Sequence, residues 1–335
     1  MKWRLIFAGF LLATGSLCQF SIDVNTDLVT VTVTASDMNG QPAEDLKAND
    51  FRVTEDGKPQ QVAIFLYRKL DIDEPLAEIP AARPTSPEGV RTQTVSARWT
   101  QPDNLVHRRL LAMVFDFSTM AIPAQAHVRQ SAIDFIRKDL KPADLATVMA
   151  TTGGKLEILQ NFTDDRAALA AAVSKVRGGD QPDSDILSAH GKLIAIEDAC
   201  RQLSAPRLVG NKALLYFSDR FPLPGLYIQT AWTNTANRCI RANTAIYPIT
   251  EANDSLSKLA AITGGSVLRP RSDMTASMES ARDKIGNHYV VGYYSTNLRP
   301  DGAYRKVNVE TIHGGTLLHY RHGYFADTYF WFFRR

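Results

Sequence analysis

The feature that most constrains this chain is a pair of short apolar runs, each closely followed by an aspartate. Leu110–Phe115 is apolar throughout and leads directly into Asp116, while Ala213–Phe217 ends two residues before Asp219. Uninterrupted apolar runs of this length are typical of strands that are covered on both faces, as in parallel sheets flanked by helices. Segments with helical spacing separate such runs between residues 105 and 297. The sequence therefore predicts a doubly wound, mostly parallel α/β sheet in that region.

Strand patterns of a different kind flank the α/β region. Leu28–Thr34 alternates strictly between apolar and polar residues, and further strand-like runs occur at Gln61–Tyr67 and Tyr304–Glu310. Alternation of this kind indicates strands with one buried face. Because a few strands alone are only marginally stable, we expect residues 20–70 and 298–326 to complete one small β-sandwich. The α/β region would then be inserted into a discontinuous β domain.

The N-terminus resembles a secretory signal peptide over residues 1–18. Two basic residues precede the short apolar run Leu5–Ala13, and small or polar residues follow it. Cys18 raises lipid attachment as an alternative, but Leu17 stands where a lipoprotein signal usually has a small residue, so we favour ordinary cleavage. No later segment approaches the ~20 apolar residues of a transmembrane helix. The mature chain is therefore predicted to be secreted or periplasmic, without a transmembrane span.

Composition and charge exclude several classes of protein. Of the 335 residues 44% are hydrophobic, which excludes general disorder. Lys and Arg total 38 against 35 Asp and Glu, so the chain is a poor candidate for binding nucleic acid through phosphate contacts. Residues 71–104 contain five prolines and predict an extended linker. The aromatic tail at residues 327–335 is too short to span a membrane and has no assigned role.

The two aspartates define the candidate site. Adjacent parallel strands place Asp116 and Asp219 at the carboxyl edge of the sheet, where ligands of doubly wound folds bind. With Ser118 between them, they form an oxygen-rich pocket suited to a hard cation such as Mg²⁺. The alternative is that each carboxylate caps the helix that follows its strand. The occurrence of both at matching strand ends favours a shared pocket.

These features together resemble a von Willebrand factor A domain, of the bacterial secreted type known as VWFA-related acidobacterial domain proteins. The resemblance covers residues 24–325 and is carried by the strand ending at Asp116 and by four further segments: Asp50–Gln60, Arg241–Pro248, Tyr289–Tyr294 and Arg321–Tyr324. It implies a Rossmann-like sheet and protein-protein or adhesive contact. The contact would use the loops after Asp116, near Gly179 and after Asp219.

The family's metal-ion-dependent adhesion site combines an Asp-x-Ser-x-Ser motif, a threonine from a later loop and a second aspartate. The resemblance assigns Asp116 and Ser118 to the motif and Asp219 to the last position. Met120 replaces the second serine, and no threonine follows Gly178–Gly179 directly. Because Mg²⁺ disfavours soft thioether ligands, we expect a degenerate site with weak Mg²⁺ binding or none. In a competent site the cation would bridge these residues to an acidic group on the partner.

Once a leader is removed, Cys200 and Cys239 are the remaining cysteines. An even pair in an oxidising compartment favours a disulfide. Right-handed crossovers would also place the two helices that carry them on the same face of the sheet. The alternative is two free thiols buried in apolar stripes.

Motifs for catalysis are missing around the candidate site. Ser118 is not within Gly-x-Ser-x-Gly, no Gly-x-Gly-x-x-Gly follows the first strand of the α/β region, and the histidines form no His-x-x-x-His pair. We therefore predict a binding module for an unidentified extracytoplasmic protein, not an enzyme. The alternative is a structural envelope or assembly protein without a metal function. A metal-dependent hydrolase using the two aspartates is the least favoured reading.

Overall fold

A computed structural model describes most of the chain between residues 28 and 326. The described ranges are 28–39, 41–69, 108–152, 155–178, 185–205, 212–219, 221, 228–250, 254–269 and 274–326. The predicted signal peptide (1–18), linker (71–104) and aromatic tail (327–335) lie outside these residues. Within the described ranges, no helix combines the length and apolar character needed to cross a membrane.

The secondary structure follows the predicted order of β, then α/β, then β. The strands are β1 Leu28–Ser36, β2 Phe51–Glu55, β3 Lys58–Gln60, β4 Val62–Arg68, β5 Arg109–Phe115, β6 Asp144–Thr152, β7 Lys155–Thr163, β8 Lys212–Phe217, β9 Thr244–Ile249, β10 His288–Tyr294, β11 Tyr304–Thr311, β12 Leu317–Tyr320 and β13 Gly323–Phe325. The helices are α1 Ile122–Lys138, α2 Arg166–Lys175, α3 Asp185–Leu203, α4 Gln229–Arg241, α5 Asp254–Thr263 and α6 Met274–Lys284.

The mostly parallel sheet is confirmed, with strand order β7-β6-β5-β8-β9. β5 pairs in parallel with β6 and β8, β8 pairs in parallel with β9, and only the edge strand β7 runs antiparallel to its neighbour. Every residue of β5 and β8 is buried, as their continuous apolar sequences require. Alternate residues of β5 join two cores: Leu111 and Met113 face the one that includes α1 and α6, and Leu110 and Ala112 face the one that includes α3, α4 and α5.

Strands from both ends of the chain form two antiparallel sheets. Their orders are β12-β1-β10-β4 and β13-β11-β2-β3. β1 pairs with β12, and β2 pairs with β11, so each sheet contains strands from before and after the α/β region. Val33 and Tyr289 of the first sheet share a core with Val53 and Val309 of the second. Neither end of the chain therefore completes this core without the other.

The boundary predicted at residue 297 differs from the structure. We assigned His288–Tyr294 to the α/β region, whereas this strand, β10, lies between β1 and β4 in an antiparallel sheet. Five of its seven residues are buried, and its apolar sequence shows no clear alternation. A central strand covered on both faces gives the same pattern in a parallel or an antiparallel sheet, so periodicity could not distinguish them.

The corrected boundary predicts which fragment folds alone. Residues 108–287 contain the parallel sheet and the helices on both of its faces, so this fragment should unfold cooperatively and remain monomeric. Residues 108–297 add β10 without its partners β1 and β4. Both edges of β10 would then lack hydrogen-bond partners, and its apolar side chains would be exposed. We expect that longer fragment to self-associate. Circular dichroism melting and size-exclusion chromatography test this, and an unfolded 108–287 fragment would contradict it.

Candidate functional site

The candidate site lies at the carboxyl ends of β5 and β8. The backbone N–H of Asp116 donates to the carbonyl of Phe217 at 2.9 Å, so the chain is still paired with β8 when it reaches the aspartate. The Asp116 side chain is buried. Its Oδ1 accepts hydrogen bonds from Ser118, from the backbone N–H at 3.1 Å and from Oγ at 2.6 Å. The structure thus brings Asp116 and Ser118 together through a tight local turn.

The second oxygen of Asp116 is bound by residues that the sequence analysis did not identify. Lys192 Nζ lies 2.9 Å from Oδ2, and the phenol of Tyr216 donates to the same oxygen at 2.5 Å. The ammonium also donates to Thr119 Oγ1 at 3.2 Å and to Ser218 Oγ at 3.0 Å. Lys192 is only 3% exposed. A buried protein cation is therefore surrounded by the oxygen atoms of two strand ends.

One signal in the sequence could have revealed Lys192. It belongs to α3 at helical spacing from Ala189, Ile196 and Ala199, all of which are buried. A lysine within such an apolar stripe must find a counter-charge, because burying an isolated ammonium is strongly unfavourable. The sequence does not indicate which residue supplies that counter-charge, because Asp116 is 76 positions away.

The electrostatics of the site are balanced within the protein. Burial alone would raise the pKa of the Asp116 carboxyl, but the charge of Lys192 and hydrogen bonds from Ser118, Tyr216 and Lys192 outweigh it and lower that pKa. Burial, together with the Asp116 charge, raises the pKa of Tyr216 well above its usual value. At neutral pH the phenol therefore stays protonated and donates to an ionised carboxylate. The negative charge of Asp116 is already neutralised by Lys192.

Asp219 stands apart from this network. It follows β8 at the same sheet edge and is half-buried, and its carbonyl accepts a hydrogen bond from Thr250 Oγ1 at 2.9 Å. Among the described residues, its carboxylate shares no hydrogen bond with Lys192, Ser118 or Tyr216. The predicted trio is thus split into a bonded pair, Asp116 with Ser118, and a separate rim acid, Asp219.

The position that departs from the adhesion-site motif, Met120, is also explained by packing. Met120 is buried in the core on the α1 side with Phe117 and Val128, while its carbonyl accepts a hydrogen bond from Gln125 Nε2 at 2.8 Å. Gly178 touches the same loop, since a Cβ there would lie 2.6 Å from Phe117 Cβ. The adhesion-site motif would have its threonine just after Gly178–Gly179, and residues 179–184 lie outside the described residues. The Met120 side chain therefore belongs to the core and offers nothing to the site.

The Asp116 environment does not fit a bound Mg²⁺ ion as it stands. Both carboxylate oxygens already accept two hydrogen bonds each, and an ammonium lies against Oδ2. A divalent ion at Oδ2 would face the positive charge of Lys192 at close range, which is strongly repulsive in a buried environment. Within the described residues, no group of three or more His, Cys, Asp or Glu side chains is placed to hold a metal.

A disulfide joins Cys200 of α3 to Cys239 of α4, with a Cα–Cα distance of 4.9 Å. Both cysteines are fully buried on the same face of the parallel sheet. Thr235 Oγ1 adds a hydrogen bond to the carbonyl of Leu193 at 3.1 Å. Two helices are thus fixed to each other, and one of them carries Lys192 two turns before its cysteine.

No protein-family model matches the chain, and no curated protein is similar to it in sequence. Among solved structures, the chain is similar to the TFIIH p34 N-terminal domain, with 12% identity and a TM-score of 0.39 over 51% of this chain and 94% of that one. It is similar to the SpRpn10 VWA domain, with 12% identity and a TM-score of 0.37 over 51% of this chain and 93% of that domain. It is also similar to proximal thread matrix protein 1 from the mussel byssus, with 12% identity and a TM-score of 0.39 over 54% of this chain and 46% of that one. Identities and TM-scores this low assign no family.

Proposed function

We propose that this chain is a protein-interaction module of the von Willebrand factor A type in which the Lys192 ammonium takes the place of the adhesion-site metal. The observation that carries the proposal is the position of Nζ, bonded to oxygens of Asp116, Thr119 and Ser218 at the carboxyl edge of the parallel sheet. The strand order and the Asp116-x-Ser118 motif support the same class. The Cys200–Cys239 disulfide supports a secreted or periplasmic location.

The same contacts argue against catalysis at this edge. Ser118 Oγ donates a hydrogen bond to Asp116, a carboxylate with a lowered pKa and therefore a weak base. Asp116 is 1% exposed, so a substrate cannot reach it. No nucleophile with a matched base is formed by these residues. We infer a binding role and not a hydrolytic one.

An ammonium in the place of a bridging metal changes which partner group fits. A metal-bridged site recruits an acidic group from its partner. Here the Asp116–Lys192 pair is neutral overall, and Asp219 remains as a half-buried anion on the described part of the rim. We propose that the partner presents a basic side chain to Asp219. Recognition would then depend on salt and not on divalent ions.

The antiparallel sheets are proposed to support this edge from the opposite end, as a discontinuous β-sandwich into which the α/β unit is inserted. Arg321, just after β12, donates to the carbonyl of Ile240 in α4 at 3.4 Å and to that of Thr30 in β1 at 2.6 Å. Thr34 Oγ1 donates to the carbonyl of Lys284 at 2.8 Å. These contacts lie at the amino ends of the parallel strands. None of these contacts, all between described residues, involves the carboxyl edge.

Affinity capture from an envelope extract tests the proposed function. Immobilised mature protein should retain the same partners in Mg²⁺ and in EDTA, and Asp219→Asn should weaken retention several-fold because it removes the rim charge. Glu157→Gln, which removes an exposed charge from β7, is the matched control. Loss of capture in EDTA would show a metal-bridged contact, and unchanged capture by Asp219→Asn would place the binding surface elsewhere.

A further inference from the structure

A cavity of about 40 Å³ lies between the α/β unit and the antiparallel sheets. The α/β unit contributes Lys212, at the start of β8, and Lys284, at the end of α6. The antiparallel unit contributes His319 of β12 and Arg321, which follows that strand. We call these four residues and the space between them the basic cleft. It lies at the end of the parallel sheet opposite to Asp116.

The basic cleft concentrates positive charge without an acid among its described lining residues. Lys284 Nζ donates to Ser266 Oγ at 3.0 Å, and Arg321 donates to two backbone carbonyls. Both cations thus have neutral hydrogen-bond partners. Carbonyls at helix C-termini attract cations and explain part of this arrangement. They do not supply a full counter-charge for Lys284 and Arg321 in this partly buried space.

His319 adds an unsatisfied polar atom to the same space. Within the described part of the chain, its Nε2 is buried and has no hydrogen-bond partner. Burial, followed by the nearby charge of Lys284, lowers the pKa of His319 to about 4. The ring is therefore neutral at pH 7, and its single N–H can lie either on Nδ1, toward the backbone of Gly264, or on Nε2, toward the cavity. Burial also lowers the pKa of Lys284 and lowers that of Lys212 to about 8. In both lysines the shift comes from burial, which disfavours the charged form.

We propose that the basic cleft binds one small tetrahedral oxyanion, such as inorganic phosphate or sulfate, between Lys284, Arg321 and His319. The ammonium and guanidinium supply charge-assisted hydrogen bonds, and His319 supplies a neutral one in the tautomer that carries its proton on Nε2. A single water needs roughly 10–15 Å³ of such volume, so the cavity has room for about three waters or one such anion. The anion would touch both units and strengthen their contact.

Thermal unfolding of the full mature chain tests the proposal. Sodium phosphate and sodium sulfate, compared with sodium chloride at equal ionic strength, should raise the unfolding midpoint in a saturable way. Lys284→Met should weaken the apparent affinity by about tenfold or more, which is the effect of losing one charge-assisted hydrogen bond. Lys138→Met, which removes a cation from the exposed face of α1, should leave the affinity unchanged.

Two further variants keep the test decisive. His319→Leu removes the neutral donor and should also weaken binding, and Arg321→Met should do so if it folds. Isothermal titration with phosphate measures each affinity directly, independently of any change in stability. The proposal is wrong if chloride shifts the midpoint as much as phosphate does, which would indicate a general salt effect. It is equally wrong if Lys284→Met and His319→Leu bind phosphate as tightly as the unmodified chain.

Discussion

Lys192→Met is expected to lower the free energy of unfolding by about 3–5 kcal/mol, the usual effect of removing one partner from a buried ion pair. The substitution keeps most of the side-chain volume but leaves the Asp116 carboxylate buried without its counter-charge. Ser118 and Tyr216 would still donate to that carboxylate, so the fold should survive. Chemical denaturation measures the change. Lys138→Met, on the exposed face of α1, should change stability by less than about 0.5 kcal/mol.

The double variant Asp116→Asn/Lys192→Met separates the loss of charge balance from the loss of packing. Asparagine is neutral and close in shape to aspartate, so the double variant should be more stable than either single variant. If its destabilisation equals the sum of the two single effects, the two residues are not coupled. The assignment of Lys192 as the internal counter-ion of Asp116 would then be incorrect.

Mg²⁺ provides a second readout for the Lys192→Met variant. The unmodified chain should gain no stability from millimolar Mg²⁺, because Lys192 opposes an ion at Asp116. In Lys192→Met the cation that opposes a divalent ion at the carboxylate is gone, and Mg²⁺ should recover part of the lost stability. Adding Met120→Ser should not increase that recovery, because the side chain at position 120 packs in the core and not against the carboxylate. Stabilisation of the unmodified chain by Mg²⁺ would contradict this.

The pH dependence of the stability that Asp116 contributes has a defined sign. The pKa of Asp116 is lowered in the folded protein, so its pairing stabilises the fold at pH values above the unfolded-state pKa of roughly 3.9. This contribution is lost as the pH falls through the lower, folded-state pKa. Lys192→Met should reduce that acid-induced loss, which denaturation measured from neutral to acidic pH would show.

Removal of the disulfide should have the second-largest effect. Cys200 and Cys239 are 39 residues apart, and a crosslink closing a loop of that size typically contributes about 3–4 kcal/mol through the unfolded state. Cys200→Ser/Cys239→Ser should therefore unfold at a markedly lower denaturant concentration than the oxidised chain. Both hydroxyls would also be buried in the core between α3 and α4, which adds to the loss.

Reductant supplies the control for the disulfide. Treatment of the unfolded chain with dithiothreitol before refolding should lower the stability of the unmodified protein. The Cys200→Ser/Cys239→Ser variant should be unaffected by it. Equal stability of the oxidised and reduced chains would show that the crosslink constrains little, and titration of two free thiols in unreduced protein would show that it does not form.

Much of the fold could be predicted because its signals are local. The apolar runs at β5 and β8 identified the parallel sheet, because strands covered on both faces are apolar over most of their length. The assignment of β10 failed because a strand between two neighbours carries no local sign of their direction. At the site, the sequence identified Asp116 and Ser118, which are bonded within one turn. It missed Lys192 because that contact depends on how α3 packs over the sheet.

The pairing of the two chain ends has a consequence for biosynthesis. Thr30 and Arg321, which are 291 positions apart, are joined by a hydrogen bond, and β1 has β10 and β12 as its neighbours. During synthesis, β1 and β4 therefore remain unpaired until β10, near the end of the chain, has been made. Exposed strand edges of this kind favour aggregation, and closure over such long separations is slow. The parallel sheet can form during this delay, so completion of the antiparallel sheets is expected to be the last step in maturation.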